Sequence, residues 1–198
     1  MQYRMIVDTH QCVGCHACEV ACKQEFGAPL GLFRTMTLYL DTGSFPNVKR
    51  SFMPMMCLQC DDARCQKACS VNAIYFENGI VKIDEKKCNG CGDCVKACTY
   101  GAVYVNPLTK LAEKCNLCSH RLDVGAQPAC VSTCPTEALK IIDGTQTPPS
   151  DAVPFRMLPS DKPRTLHIGA HPAMSEKLQI GKPFSPYNYE ISNWARRA

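Results

Sequence analysis

Residues 12–22 read CVGCHACEVAC, and residues 88–98 repeat the same frame as CNGCGDCVKAC. Both stretches have the spacing C-x2-C-x2-C-x3-C. Three cysteines two residues apart wrap one tight loop, with backbone N–H groups aimed at the sulfurs. The fourth thiol sits one helical turn further on and faces away. A short peptide of this form holds a [4Fe-4S] cube, one thiolate per iron, and gives its fourth cysteine to a neighbouring cube. Two more quartets follow, Cys57, Cys60, Cys65 and Cys69, then Cys115, Cys118, Cys130 and Cys134, and the four together use all sixteen cysteines of the chain. Four complete quartets predict four clusters and a chain that moves electrons.

Three rival uses of these cysteines are weaker. C-x2-C-x2-C crowds thiols too locally to staple distant segments by disulfides. Structural zinc prefers two Cys pairs separated by a longer loop, which only the fourth quartet resembles, and that quartet reads as a cluster module with an inserted loop. Cys12 to His16 matches the C-x-x-C-H of c-type haem attachment, but the match is nested inside a complete quartet, which makes His16 a loop residue.

The formal charge of +4 is misleading if clusters are bound. Each oxidised cube with its four thiolates adds about 2−, so four of them take the chain to roughly −4. A basic partner-binding face for nucleic acid therefore has no footing. Lys67, Lys96 and Arg121 are candidate cations near the clusters, with a solvated face as the plain alternative. With one Trp and 8% aromatics, classical core-building is limited, and the chain is expected to fold around its metal centres. No apolar run is long enough to span a bilayer. The N-terminus enters Tyr3-Arg4-Met5-Ile6-Val7 directly, without the pattern of an export signal, so any export or membrane association is expected to come from a partner.

Used as register marks, the cysteines expose an internal repeat. Val7-Asp8 precedes Cys12 as Ile83-Asp84 precedes Cys88, which predicts short strands at 5–7 and 80–83 feeding both loops. Cys-x3-Ala plus an apolar residue recurs at Cys69, Cys98 and Cys134, suiting a brief helix that turns into a strand. Asn78-Gly79 predicts a hairpin turn. Residues 23–56 form an insert whose 33–40 and 48–52 segments predict an extended hairpin, punctuated at 41–44 and stopped by Pro54. It would be packing cover or a docking surface. Eight of the fourteen prolines fall between Pro148 and Pro186. The same stretch and its continuation carry Phe155, Met157, Leu158, Leu166, Ile168, Phe184, Tyr187, Tyr189, Ile191 and Trp194, more apolar anchors than a solvated linker needs. Residues 145–198 therefore read as an extended arm, ordered only against a partner.

With its quartets in this order, the chain resembles the iron–sulfur electron-transfer subunits of the dimethyl sulfoxide reductase superfamily. Those subunits serve dimethyl sulfoxide, polysulfide, thiosulfate, tetrathionate, arsenate and formate enzymes. The likeness spans roughly residues 1–142. It rests on the 12–22 motif followed by Lys23, on Cys57-Leu58-Gln59-Cys60 with Cys65 and Cys69, and on Lys114-Cys115-Asn116-Leu117-Cys118-Ser119-His120-Arg121 running to Cys130 and Cys134-Pro135. Spacing alone leaves the partnership of quartets open, since first with second and third with fourth also fits. The resemblance implies an α+β fold of two ferredoxin-like [4Fe-4S] modules interleaved in sequence over residues 1–144. It implies four ligand sets: Cys12, Cys15, Cys18 and Cys134; Cys22, Cys115, Cys118 and Cys130; Cys57, Cys60, Cys65 and Cys98; Cys69, Cys88, Cys91 and Cys94. Every ligand position is Cys, so four [4Fe-4S] clusters are expected, with none of the [3Fe-4S] type. The family commonly has Pro after the last Cys of the second and third quartets, where this chain has Ser70 and Thr99. That departure bears on solvent access and potential rather than ligation.

The resemblance further implies a non-catalytic subunit. It would relay electrons between a molybdenum or tungsten bis-pterin catalytic subunit and a quinone-linked membrane anchor, at the periplasmic face of the cytoplasmic membrane after co-export with a signal-bearing partner. The alternative is a free-standing soluble polyferredoxin serving cytoplasmic redox enzymes. No triad-like motif and no glycine loop for a nucleotide are present.

Overall fold

A computed structural model describes residues 2–178 and 180–184. The apolar run Met5-Ile6-Val7 is buried in strand β1 (Arg4–Asp8). Helix α1 (Ala17–Phe26) starts inside the first quartet and stops at Gly27, whose φ of 56° lets its N–H return to the Lys23 carbonyl. Strands β2 (Thr35–Ser44) and β3 (Asn47–Met56) pair along their whole length as an antiparallel hairpin. Then come α2 (Arg64–Lys67), β4 (Ile74–Glu77), β5 (Ile80–Ile83), α3 (Asp93–Ala97), β6 (Val103–Val105) and β7 (Ala112–Lys114). The remaining elements are α4 (Ser119–Leu122), α5 (Ala129–Ser132), β8 (Leu139–Ile142), β9 (Val153–Pro154), β10 (Leu166–Ile168) and a 3-10 helix at Pro172–Lys177. The result is a mixed α/β fold of one four-stranded sheet, order β8-β1-β10-β9, and three two-stranded ribbons.

α1 lies on α5 and α2 on α3, so helices of the first and fourth quartets face one another, as do those of the second and third. β8, which follows the last quartet, pairs antiparallel with β1, which precedes the first. The β4–β5 ribbon turns at Asn78-Gly79 with φ of 52° and 81°, as the dipeptide predicts.

The insert departs from its reading at two points. Residues 41–44 stay inside β2, where Asp41 accepts two bonds from Arg50 across the ladder at 2.6 and 2.8 Å, and the turn falls at Phe45-Pro46. β3 also runs through Pro54 to Met56. Pro54 stands opposite Thr37, whose N–H leaves the ladder for Glu19 Oε1 at 2.5 Å. The missing proline N–H is therefore at a position that makes no cross-strand bond. The base of the hairpin is buried on both faces, whereas its distal half, including Phe45, is exposed.

In the C-terminal segment, parts of residues 145–178 and 180–184 lie on the chain's own body. β10 inserts parallel to β1, and Phe155, Met174, Leu178 and Phe184 are buried. Extended backbone with scattered apolar anchors suits a strap on any apolar surface, and sequence does not say whose. Tyr187, Tyr189, Ile191 and Trp194 lie outside the described residues.

Candidate iron–sulfur centres

All sixteen cysteines are free thiols, and they gather in fours. Cys12, Cys15, Cys18 and Cys134 line one cavity, with Thr37 and Pro54 of the hairpin on its wall. Cys57, Cys60, Cys65 and Cys98 line a second, beside Tyr100 and Asp161. Cys69, Cys88, Cys91 and Cys94 line a third, against Ala73 and Ala112. The remaining four, Cys22, Cys115, Cys118 and Cys130, are close enough that Cys115, Cys22 and Cys118 are the first charges felt by Cys130. Among the described residues no three His, Cys, Asp or Glu side chains converge on a single-ion site. The thiols surround a volume rather than a point, which suits a four-iron core better than one zinc ion.

Local backbone explains why each fourth cysteine leaves its own group. Cys18 and Cys22 are both in α1, four residues and about 6 Å of helix rise apart, so one helix feeds two adjacent sites. At the first and third loops, glycine is required. Gly14 has φ 67°, and a Cβ there would stand 2.4 Å from the Phe52 ring of the hairpin. At Gly90, φ 70°, it would stand 2.0 Å from the Lys110 carbonyl.

The recurring Cys-x3-Ala has a purpose beyond packing. The Ala73 N–H donates to Cys69 Sγ at 3.2 Å and the Ala102 N–H to Cys98 Sγ at 3.3 Å. In the third copy burial opposes ionisation of Cys134, but backbone N–H groups of Leu139, Thr136 and Ala138 outweigh it and hold the thiol below its ordinary value. The residue before each alanine takes positive φ: Asn72 at 51°, Gly101 at 68°, Glu137 at 55°. That kink turns the next N–H back on the sulfur. Further donors reach Cys88 from Ala112 and Cys115 from Leu117, each at 3.4 Å.

Burial pushes several of the other thiols up, Cys18 and Cys65 to about 12 and Cys22 and Cys94 to about 11. Members of a group add to this by mutual repulsion; Cys12, for example, is raised by burial and further by Cys134 and Cys15. Four thiolates in such a space need positive charge among them, which an iron core supplies. The donor set, the N–H groups and the enclosure all fit a [4Fe-4S] centre.

Polar and charged side chains other than the cysteines also reach the groups. Lys114 is 3% exposed, and its ammonium donates to Cys57 Sγ at 3.4 Å, to the Cys115 carbonyl at 3.0 Å and to the Val81 carbonyl. Gln59 bridges the same region, donating to the Cys115 carbonyl and accepting from the Val81 N–H. Arg34, buried, pairs with Glu113 at 2.9 Å and helps stabilise the Cys22 and Cys118 thiolates. Of the cations expected from sequence, Lys67 and Lys96 pair with Asp62 and Asp93 at the surface. Arg121 joins His120 in holding Glu25 of α1. The lysine directly before Cys115 is legible in sequence as a neighbour of the fourth quartet, but only the fold shows its side chain passing between two groups.

Four groups of cysteines under backbone N–H donors, on a frame of short ribbons and helices, define an iron–sulfur protein of the ferredoxin-like kind. Residues 48–144 match the model of the 4Fe-4S dicluster domain. The chain is 43% identical to a thiosulfate reductase electron transfer subunit of Salmonella typhi, over 70% of this chain and 74% of the relative. It is 40% identical to a subunit of the tetrathionate reductase of Salmonella typhimurium, over 67% and 54% respectively. It is also 40% identical to one of the chains of the polysulfide reductase of Wolinella succinogenes, over 72% and 76%. The chain belongs to the family of [4Fe-4S] electron-transfer subunits of thiosulfate, tetrathionate, polysulfide and dimethyl sulfoxide reductases, and is not itself a catalytic subunit.

Proposed function

We propose that this chain is a four-cluster relay built from two interleaved ferredoxin-like modules. One module joins the first and fourth quartets, the other the second and third. The ligand sets are Cys12, Cys15, Cys18 and Cys134; Cys22, Cys115, Cys118 and Cys130; Cys57, Cys60, Cys65 and Cys98; Cys69, Cys88, Cys91 and Cys94. Bound clusters supply the one-electron carriers; the residues space them, shield them and set their charge environment.

The observation that carries this reading is the adjacency of the groups. Cys18 feels nearby Cys12 and Cys134 and in turn bears on Cys130 of the next group. Cys115 of that group bears the charge of Cys57, and Cys65 that of Cys94. The groups thus follow one another in file. Exposed cysteines occur only in the terminal groups, Cys15 at one end and Cys91 at the other. A path buried in the middle and open at both ends suits a subunit placed between two redox partners. The partners proposed are a molybdenum or tungsten bis-pterin catalytic subunit at the Cys15 end and a quinone-reactive membrane anchor at the Cys91 end. The complex is placed at the periplasmic face of the membrane, this chain being carried out folded by its catalytic partner. Among the described residues no helix is long and apolar enough to cross a membrane.

Anaerobically purified protein is expected to contain about sixteen iron and sixteen sulfide per chain, four of each per quartet. Two zinc ions with little iron, or eight disulfides by mass spectrometry, overturn the reading. Cys22→Ser is expected to damage the cluster shared with Cys115, Cys118 and Cys130 and to spare that of Cys12, Cys15 and Cys18. Loss of the latter instead would show the ligand sets to be wrong.

A further inference from the structure

The second cavity, lined by Cys57, Cys60, Cys65 and Cys98, is closed by a part of the chain far from any quartet. Asp161, in the proline-rich C-terminal segment, forms part of its wall and is only 6% exposed. Tyr100 Oη donates to its carboxylate at 2.9 Å, Thr99 Oγ1 at 3.3 Å and the Leu158 N–H at 3.0 Å. Thr99 and Tyr100 directly follow the ligand-set member Cys98, so the carboxylate is tied to the cavity's own rim. A proline at position 99 would have no hydroxyl to offer. The flanking backbone is tied down as well. Asp61 N–H donates to the Lys162 carbonyl at 2.9 Å, and both Arg164 and Thr165 N–H groups donate to the Leu58 carbonyl at 2.9 and 3.0 Å. On the other side, Gly181 N–H reaches the Cys98 carbonyl and Phe184 N–H the Gly101 carbonyl, at 3.1 and 3.0 Å.

We infer that residues 158–178 and 180–184 form an intramolecular cap on this one centre, and that the Asp161 carboxylate is the group that lowers its reduction potential. Reduction adds negative charge to the cluster, and a fixed negative charge on the wall opposes it. Arg64 Nε lies 3.5 Å from Asp161, but its side chain is 46% exposed against 4% for the aspartate. Water screens the guanidinium more than the carboxylate, so the aspartate dominates inside the cavity. Lys114 donates to Cys57 of this group, and among the described residues Asp161 and the half-exposed Asp62, which lies within the second quartet, are the only carboxylates in the cavity's lining. The effect is expected to be greatest at this centre, because Asp161 bears on Cys60, whereas among the described residues the cavities of the first and last groups take no wall residue from the C-terminal segment.

The inference rests on the four-cluster reading, and one set of measurements separates the two. Full-length holoprotein is assayed for iron and titrated by potential under electron paramagnetic resonance, as wild type, Asp161→Asn and Asp161→Glu. Asp161→Asn is expected to keep its iron and to raise one midpoint potential of the four, while Asp161→Glu stays near wild type. Intact iron with no midpoint moved, or all four moved together, overturns the inference and leaves the four-cluster reading standing. If Cys60→Ser leaves iron content and spectra unchanged, the reading itself fails and the inference with it. Should Asp161→Asn lose iron, the double variant Thr99→Val, Tyr100→Phe decides. It keeps the carboxylate but removes two donors that spread its charge, so the same midpoint is expected to fall; an unmoved midpoint overturns the inference.

Discussion

At the scale of single residues, the site depends on groups that carry no cysteine signature. Ala73, Ala102 and Ala138 are each 1% exposed, and their backbone N–H groups donate to Cys69, Cys98 and Cys134. Their spacing from the cysteine is legible in sequence, but the positive φ that turns the N–H inward is not, because Asn72, Gly101 and Glu137 share no side-chain type. His167 is another such residue. It is fully buried in β10, its ring 5.6 Å from that of Phe155, and neither ring nitrogen has a hydrogen-bond partner. Burial lowers its pKa from 6.5 to about 4. The unfolded chain therefore binds a proton that the folded chain refuses. The stability contributed by the neutral ring is complete above pH 6.5 and is lost as pH falls towards 4, at most about 3 kcal/mol in all. His167→Leu should flatten the part of the melting-temperature decline between pH 6.5 and 5 that this group causes. Equal declines in wild type and variant, measured anaerobically on holoprotein, would contradict the assignment.

At the scale of elements, legibility follows range in sequence. The Asn78-Gly79 ribbon, with the strand it feeds into the third quartet, depends on neighbours within a dozen residues and is readable, whereas the brief helix expected after Cys69, Cys98 and Cys134 is a turn, the short helices lying before those cysteines. Pro54 misleads because a proline stops a strand only where its N–H is needed, and which positions need it depends on the Glu19 carboxylate from α1. β10 is unreadable for a different reason. Leu166–Ile168 is three residues long, and its partner β1 lies at the other end of the chain, so no local pattern announces the pairing. Its consequence is a prediction about truncation. Ending the chain at Gly144 removes β9, β10 and the cap, strips β1 of its parallel partner and uncovers the second cavity. The truncated protein is expected to melt at lower temperature and to hold less iron than full-length protein, with Cys57, Cys60, Cys65 and Cys98 losing their cluster first. A truncated chain with full iron and an unchanged melting temperature would show the segment to be dispensable to the body it covers.

At the scale of the whole molecule, exposure separates the middle of the file from its ends. Cys22, Cys115, Cys118 and Cys130 are all buried, and of Cys57, Cys60, Cys65 and Cys98 only Cys60 is partly open. Each end group has one exposed cysteine, Cys15 or Cys91, beside partly open ones such as Cys12 and Cys69. Oxygen and chelators reach a cluster through its exposed sulfurs and irons, so the same openness that admits an electron partner admits damage. Air exposure of the isolated chain is therefore expected to release iron in two phases of about equal size, the first from the two end groups. The buried pair should persist longest. Electron paramagnetic resonance on samples frozen along the time course, with Cys22→Ser marking the signal of one inner centre, assigns each phase. Loss of all four signals at one rate would mean that solvent reaches the middle of the file as easily as its ends. Binding of a catalytic partner adds a directional check, since it should slow the early phase by about half, the protected share coming from the Cys12, Cys15, Cys18 and Cys134 end.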